Sequence, residues 1–151
     1  MRIGYVLIAC LLVLFSISAL PQNRKDKKEA QLAESAKPKN VAGGVKFQVQ
    51  KSYAESYDVL LNWVKRADYT IESADKENGL ISTAMTITGG YSQTGTRLML
   101  TLIKDTDTAT TVRVVVTDQK RKKLLTTEPW SDPKVNQPET QRVADNLKST
   151  F

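Results

Sequence analysis

The sequence predicts a small α+β domain, with an antiparallel sheet of four to five strands and two helices on one face, in the order β-α-β-β-β-(β)-α. Two amphipathic helical patterns enclose several segments in which apolar and polar residues alternate. The folded part covers residues 45–151, a length that suits one domain with one hydrophobic core. An apolar segment, residues 1–20, and a charged segment, residues 21–44, precede it.

The apolar segment has the composition of an export signal or an N-terminal membrane anchor, since no charged residue occurs from Ile3 to Leu20. One possibility is a secretory signal cleaved near Leu20. A second is an uncleaved anchor, which as a helix reaches ~27 Å, close to a ~30 Å hydrocarbon core. A third is lipidation at Cys10, which also fits as one more apolar residue. We predict an exported protein of the periplasm or cell envelope, soluble after cleavage or membrane-anchored by residues 3–20.

The charged segment, residues 21–44, is predicted to be a flexible or transiently helical tether. It is rich in charged residues and contains no aromatic residue, so it cannot bury enough apolar surface to offset its chain entropy. Its basic start, Arg24, Lys25, Lys27 and Lys28, can contact anionic lipid headgroups.

The first strand and helix of the folded part have the clearest patterns. Apolar and polar residues alternate over Val45–Gln50, which predicts a strand with one buried face. Ser52 and Glu55 match a capping box, in which each side chain accepts a hydrogen bond from the other residue's amide. We predict a helix over about residues 52–67. Its apolar face consists of Tyr53, Tyr57, Leu60, Leu61 and Val64.

The later elements follow from alternating apolar residues and from turn-forming residues. We expect Pro138 at the first position of the last helix, whose apolar face ends at Phe151. The predicted strands are 69–73, 80–88, 98–104 and 112–116, with a further extended segment at 124–127, and the predicted turns and loops are 75–79, 89–95 and 105–108.

Several kinds of catalytic site are excluded by composition. The chain has no histidine, and its one cysteine is Cys10 in the apolar segment, so the folded part has neither a disulfide nor a thiolate or histidine site. Asp75 with Glu77, and Asp105 with Asp107, are candidate acid–base pairs, but aspartate is also common in turns. The glycine-rich loop 89–95 lacks the Gly-Lys-Ser/Thr end of a phosphate-binding loop. The sequence predicts no cofactor and no metal.

The pattern of the folded part resembles the helix-grip-like domains of small bacterial envelope lipoproteins. Such domains occur in the C lipoprotein of the outer-membrane β-barrel assembly machinery and in small secreted families of unknown function. The matching features are the run SYAESYDVLLNWVKRADYTIESADKENGLIST, the later TTVRVVV strand and the C-terminal helix. The resemblance implies a non-enzymatic envelope domain that holds partner proteins.

Candidate binding residues lie in two short segments and a loop. The basic run, Lys120, Arg121, Lys122 and Lys123, is either a solvated hairpin end or a site for an acidic protein patch or anionic lipid headgroups. Nucleic acid is not expected, because the run has no aromatic residue for base stacking. Trp130, in a loop between prolines, is either an interface residue or the edge of the core. Tyr91, in the glycine-rich loop, is a candidate partner contact.

The sequence therefore predicts a non-enzymatic exported binding or structural module of the bacterial cell envelope, which contacts a protein partner through its sheet or an edge strand near Trp130 and the basic run. One alternative is an envelope hydrolase that uses paired carboxylates. Another is a carrier of a lipid or small apolar ligand, with a pocket lined by Leu98, Leu100, Val114 and Tyr57.

Overall fold

The computed structural model describes residues 24–35, 39, 41–123 and 127–151. The candidate export segment with Cys10, and residues 124–126 of the predicted extended segment, lie outside the described residues. The described elements are α1 (Arg24–Ser35), β1 (Val45–Val49), α2 (Tyr53–Arg66), β2 (Ile71–Asp75), β3 (Leu80–Thr83), β4 (Thr86–Thr88), β5 (Ser92–Lys104), β6 (Thr110–Lys122), β7 (Lys134–Val135) and α3 (Gln137–Lys148).

The α+β class is confirmed, but the prediction of four to five strands and two helices is wrong: the described part has seven strands and three helices. The run expected to form one strand at 80–88 forms β3 and β4, because the Ala84 amide donates to the Thr70 carbonyl at 2.7 Å and the pairing with β5 is interrupted there. β7 adds a two-residue strand beside β6, and α1 lies within the segment predicted to be a tether.

β5 and β6 form a long antiparallel ribbon that is the centre of the sheet, whose order is β1-β6-β5-β3-β2. The ribbon pairs from Lys104–Thr110, next to its turn, to Ser92–Lys122 at its far end. The predicted loop 89–95 is therefore shorter, and β6 continues into the basic run. β1 and β7 pair with successive parts of β6, while β3 and β4 pair with successive parts of β5.

One face of the sheet, which we call the helix face, is covered by α2 and α3. α2 begins with the predicted capping box, since the Ser52 side chain accepts from the Glu55 amide and the Glu55 carboxylate accepts from the Ser52 amide. Burial of apolar side chains between the helices and the ribbon is the main stabilising contribution to this fold. The fully buried core side chains include Leu60, Val64, Leu98, Leu100, Val112, Val114, Val143 and Leu147.

α3 also completes the edge of β6 between β1 and β7. The Val116 amide donates to the Thr140 hydroxyl at 3.0 Å, and the Val116 carbonyl accepts from the Asn136 amide at 2.8 Å. Asn136 caps α3 by accepting from the Glu139 amide, so Pro138 occupies the second helical position, not the first. The gap in strand pairing thus leaves no unsatisfied backbone group at Val116.

The opposite face of the sheet is partly covered by the end of the charged segment. Gln119 Nε2 donates to the Ser35 carbonyl at 3.1 Å, where α1 ends. Farther along β6, Arg113 Nε donates to the Gly43 carbonyl at 2.8 Å, and its Nη2 donates to the Val41 carbonyl. The segment predicted to be a flexible or transiently helical tether therefore contacts the sheet at Ser35, Val41 and Gly43.

Candidate interaction surfaces

Trp130 lies on the opposite face at the far end of the ribbon, and it is only 7% exposed. Its indole packs over Gly95, where an added Cβ would lie 3.1 Å from Trp130 Cη2 and 2.1 Å from Met85 Sδ. The Trp130 amide donates to the Ser35 hydroxyl at 3.2 Å. These contacts favour the core-edge interpretation of Trp130, since little of the ring is accessible to a partner.

The basic run does not form a single patch, because it belongs to β6 and its side chains alternate between the two faces. Lys120 and Lys122 lie on the helix face, beyond the helices, and are exposed. Arg121 lies on the opposite face, with its guanidinium carbon 4.2 Å from the Trp130 ring centroid and its Nε donating to Gln93. Arg121 therefore packs on the aromatic ring, where a cation–π contact stabilises it.

Tyr91 lies beside Ser92 at the far end of the ribbon and is 57% exposed. Its carbonyl accepts from the Lys123 amide at 2.8 Å, which holds the two chain segments together at this end. Of the predicted binding residues, the structure brings Tyr91, Lys122 and Lys123 together. It places Arg121 and Trp130 in a separate cluster on the opposite face.

The candidate catalytic carboxylates have hydrogen bonds that fix turns. Asp75 accepts from the Asn78 amide and from Asn78 Nδ2, at 3.0 and 2.7 Å. Asp105 accepts from the Thr111 hydroxyl and from Gln48 Nε2, at 2.7 and 3.0 Å. These hydrogen bonds hold the pKa of each carboxyl below its ordinary value. A general acid needs the opposite shift, since it must keep its proton near neutral pH.

The second members of the two pairs, Asp107 and Glu77, lie in the turns at the surface. A hydrogen bond from Lys104, at 2.7 Å, holds the pKa of Asp107 low, and Glu77 is exposed in the β2–β3 turn. Among the residues that the structure describes, no group of three or more Asp, Glu, Cys or His side chains is arranged to hold a metal ion.

The residues predicted to line a ligand pocket belong to the packed core. Leu98, Leu100, Val114 and Tyr57 are each at most 3% exposed and contact the apolar residues of both helices. Their side chains occupy the space between helices and sheet that a bound lipid would need. No described feature of the helix face therefore favours the carrier alternative.

A groove runs along β1, the edge strand that follows the charged segment. Its volume is about 250 Å³, and Phe47–Lys51 line one side while Lys148 and Phe151 line the other. The rings of Phe47 and Phe151 meet edge to face, with 6.3 Å between their centroids. The groove lies below the ~300–1,000 Å³ of typical small-molecule pockets, so it suits single side chains of an extended chain.

The two charged side chains that line this groove are both lysines. Lys148 Nζ lies 5.7 Å from the centroid of the Phe47 ring and forms an ion pair with Asp145 at 3.0 Å. Lys51 has no ion-pair partner within the described ranges, and its backbone carbonyl accepts from the Thr110 hydroxyl. An apolar side chain packed against the two aromatic rings, with a carboxylate near Lys51, would complement these surfaces.

β1 and β2 are the two ends of the sheet order, and they differ as edges. β1 pairs with β6 in an uninterrupted register from Val45 to Val49, and no described strand lies on its other side. β2 has a bulge between Ile71 and Ser73, which disturbs the row of hydrogen-bonding groups at its edge. β1 is therefore the better template for an added strand.

Sequence reasoning predicted β1 but missed the groove beside it. Phe47 was expected to face the core, and Phe151 was expected on the apolar face of the last helix. Only the structure shows that these rings meet at the edge of the sheet. In the sequence, the only indication of this contact was an aromatic residue near each end of the folded part, Phe47 and Phe151. Two such residues do not by themselves indicate a groove.

Comparison with protein-family models and with curated protein sequences finds no match to this chain. None of the described helices is long and apolar enough to cross a membrane.

Proposed function

We propose that this chain is a non-enzymatic binding module of the bacterial cell envelope and that it binds an extended segment of a protein partner along β1. The uncharged run from Ile3 to Leu20 supports export. The resemblance to envelope lipoprotein domains supports the cell envelope as its location. The turn-fixing hydrogen bonds of the candidate carboxylates support a non-enzymatic role.

The groove between β1 and the end of α3 is the observation that carries the proposal. An extended segment that pairs with the free edge of β1 adds a strand to the sheet, and main-chain hydrogen bonds supply much of its affinity. Alternate side chains of such a segment point toward the two faces. One set would enter the groove lined by Phe47, Val49 and Phe151.

Side-chain recognition follows from the walls of the groove. The rings of Phe47 and Phe151 favour an aliphatic or aromatic residue of the partner. Lys51, which has no ion-pair partner among the described residues, favours an acidic residue nearby. We expect the bound segment to combine one large apolar residue with acidic neighbours and to lack proline at the paired positions.

A library of random linear peptides displayed against the full-length chain in detergent tests this proposal. We expect the selected peptides to have the apolar-and-acidic composition given above. In titration calorimetry, Phe151→Ala and Lys51→Glu should each weaken binding of a selected peptide on the order of tenfold, as for residues central to an interface.

Matched controls are exposed residues far from the groove. Tyr91→Ala removes an exposed aromatic ring, and Lys120→Glu reverses an exposed charge, so both should leave peptide affinity unchanged. Failure to select any peptide contradicts the proposal. So does a selected peptide whose affinity is insensitive to both groove substitutions.

A further inference from the structure

The far end of the β5–β6 ribbon combines exposed lysines with exposed large apolar side chains. Lys120, Lys122 and Lys123 are exposed there, Tyr91 is 57% exposed, and Ile87 in the adjoining strand β4 is 49% exposed. Large exposed apolar residues need an explanation when they occur together with like charges at one end of a domain.

Strand pairing places the backbones of these residues near the same end of the ribbon. Lys122 lies opposite Ser92, the residue after Tyr91, and the Lys123 amide donates to the Tyr91 carbonyl. Ile87 lies opposite Gly95 on the neighbouring strand. Lys120 and Lys122 lie on the helix face, and Ile87 lies on the opposite face. These residues therefore share the end of the ribbon, not one face of the sheet.

Basic residues outnumber acidic residues at this end of the ribbon. None of the three lysines forms an ion pair with a described residue. Asp118, on the same face as Lys120, accepts hydrogen bonds from the neutral side chains of Thr96 and Asn136 and keeps its negative charge. The exposed Glu128, whose amide donates to the Lys122 carbonyl at 3.2 Å, adds a second negative charge, which leaves the four basic residues 120–123 in excess. Asp132 pairs with Lys39 at 3.1 Å. The end of the ribbon therefore presents a net positive charge to its surroundings.

We propose that the far end of the ribbon rests on an anionic lipid surface, with Tyr91 and Ile87 at the level of the headgroups and the three lysines on lipid phosphates. Tyrosine has an apolar ring and a polar tip, which suits the boundary between headgroups and acyl chains. Each lysine near an anionic leaflet contributes attraction that falls off within a Debye length. This proposal is independent of the groove along β1, which lies at the other end of the ribbon.

The path of the chain supports a lipid surface as the occupant. Ser35, the last residue of α1, is held by Gln119 and Trp130, within three residues of Lys122 along β6. α1 rises ~1.5 Å per residue, so its first residue, Arg24, lies within about 17 Å of Ser35. The uncharged segment predicted to be an export signal or anchor precedes this helix. A retained anchor would thus be joined to the domain through α1, whose last residue is held at the far end of the ribbon.

Depth-dependent fluorescence quenching tests the proposal on the full-length chain reconstituted into vesicles. Tyr91→Trp places a reporter at the far end of the ribbon, and Ile103→Trp places a matched reporter near the ribbon's turn, where Ile103 is 45% exposed. Each is compared with the parent chain, which contains Trp63 and Trp130. The vesicles contain brominated phosphatidylcholine, with or without phosphatidylglycerol.

In vesicles that contain phosphatidylglycerol, we expect quenching of the reporter at position 91 to exceed that at position 103 several-fold. The difference should disappear in phosphatidylcholine alone and at high salt. The triple substitution Lys120→Gln, Lys122→Gln and Lys123→Gln should reduce surface partitioning about fivefold per lysine. Equal quenching at both positions overturns the proposal. So does quenching at position 91 that is independent of lipid charge, because contact would then not depend on the lysines.

Discussion

At the scale of single residues, Thr140 shows how one side chain can replace a strand partner. Its hydroxyl accepts from the Val116 amide at 3.0 Å, and Thr140 is fully buried. Without this hydroxyl, the Val116 amide would be buried with no acceptor, which costs about 1–3 kcal/mol.

We therefore predict that Thr140→Val lowers the free energy of unfolding by about 1–3 kcal/mol, although valine has nearly the shape of threonine. Urea unfolding followed by circular dichroism measures the change. Thr140→Ser keeps the hydroxyl and should retain most of the stability. Equal losses for the two variants would show that packing of the methyl group, not the hydrogen bond, is the main contribution.

Arg97 is a residue whose environment the sequence did not predict. A charged residue within a strand is expected on a solvated surface, yet Arg97 is 5% exposed and its Nε donates to the Thr83 carbonyl at 3.0 Å. Burial lowers the pKa of the guanidinium, and the Glu72 carboxylate, in an ion pair at 3.0 Å, opposes that shift. Glu72 lies at the bulge of β2, which forms where β2 pairs with β3. Local sequence does not specify this pairing, so it did not indicate an acidic partner for Arg97.

At the scale of elements, Asp105 connects the turn of the ribbon to β1. Its carboxylate accepts from Thr111 in β6 and from Gln48 in β1, and these hydrogen bonds hold its pKa below the ordinary value of 3.8. A carboxyl whose pKa is lower in the folded state stabilises the fold above the unfolded-state pKa. That contribution is lost as the pH falls through the folded-state pKa.

We predict that Asp105→Asn reduces the acid dependence of stability between about pH 5 and about pH 2. The substitution removes a carboxyl whose pKa is lower in the folded state than in the unfolded state. Lowering the pH should therefore cost the variant less stability than the parent, and its unfolding curves at the two pH values should lie closer together. Asp68→Asn is the control, because the Asp68 carboxylate accepts no hydrogen bond within the part of the chain that the structure describes. If both variants match the parent, the contacts of Asp105 do not contribute to acid stability.

The elements differ in how well local sequence determines them. The start of α2 was predicted to within a residue, because the capping box of Ser52 and Glu55 is formed by neighbouring residues. The division of 80–88 into β3 and β4 was not predicted, since it depends on how distant segments pair with the 13-residue strand β5. The extension of β6 through Lys122 was missed for the same reason.

At the scale of the whole molecule, the ribbon separates two surfaces with different properties. Near its turn lies the groove between β1 and the end of α3, and at its far end lie Tyr91 and the exposed lysines. A peptide segment bound along β1 and a lipid surface at the far end would therefore contact different parts of the domain, and both could be bound at the same time. This arrangement suits a module that holds a protein partner at a fixed distance from a membrane.

The candidate site was predicted only in part, because its residues come together through the sheet. The sequence suggested an edge strand near Trp130 and the basic run. In the structure, β1 pairs with residues 110–114 of β6, whereas Trp130 packs beside Gly95 and Arg121 at the far end. Alternation along β6 also separates Arg121 from its lysine neighbours. Neither the sheet order nor this separation can be derived from composition or spacing.

The central claim is that the free edge of β1 receives an extended partner segment. Hydrogen exchange of backbone amides, measured on the full-length chain with and without a selected peptide, tests it most directly. We predict that exchange slows in Val45–Val49 and the adjoining Gln50 and Lys51, while amides of the other edge strand, Ile71–Asp75, are unaffected. Slower exchange confined to Ile71–Asp75, or no change in either strand at saturating peptide, would contradict the claim.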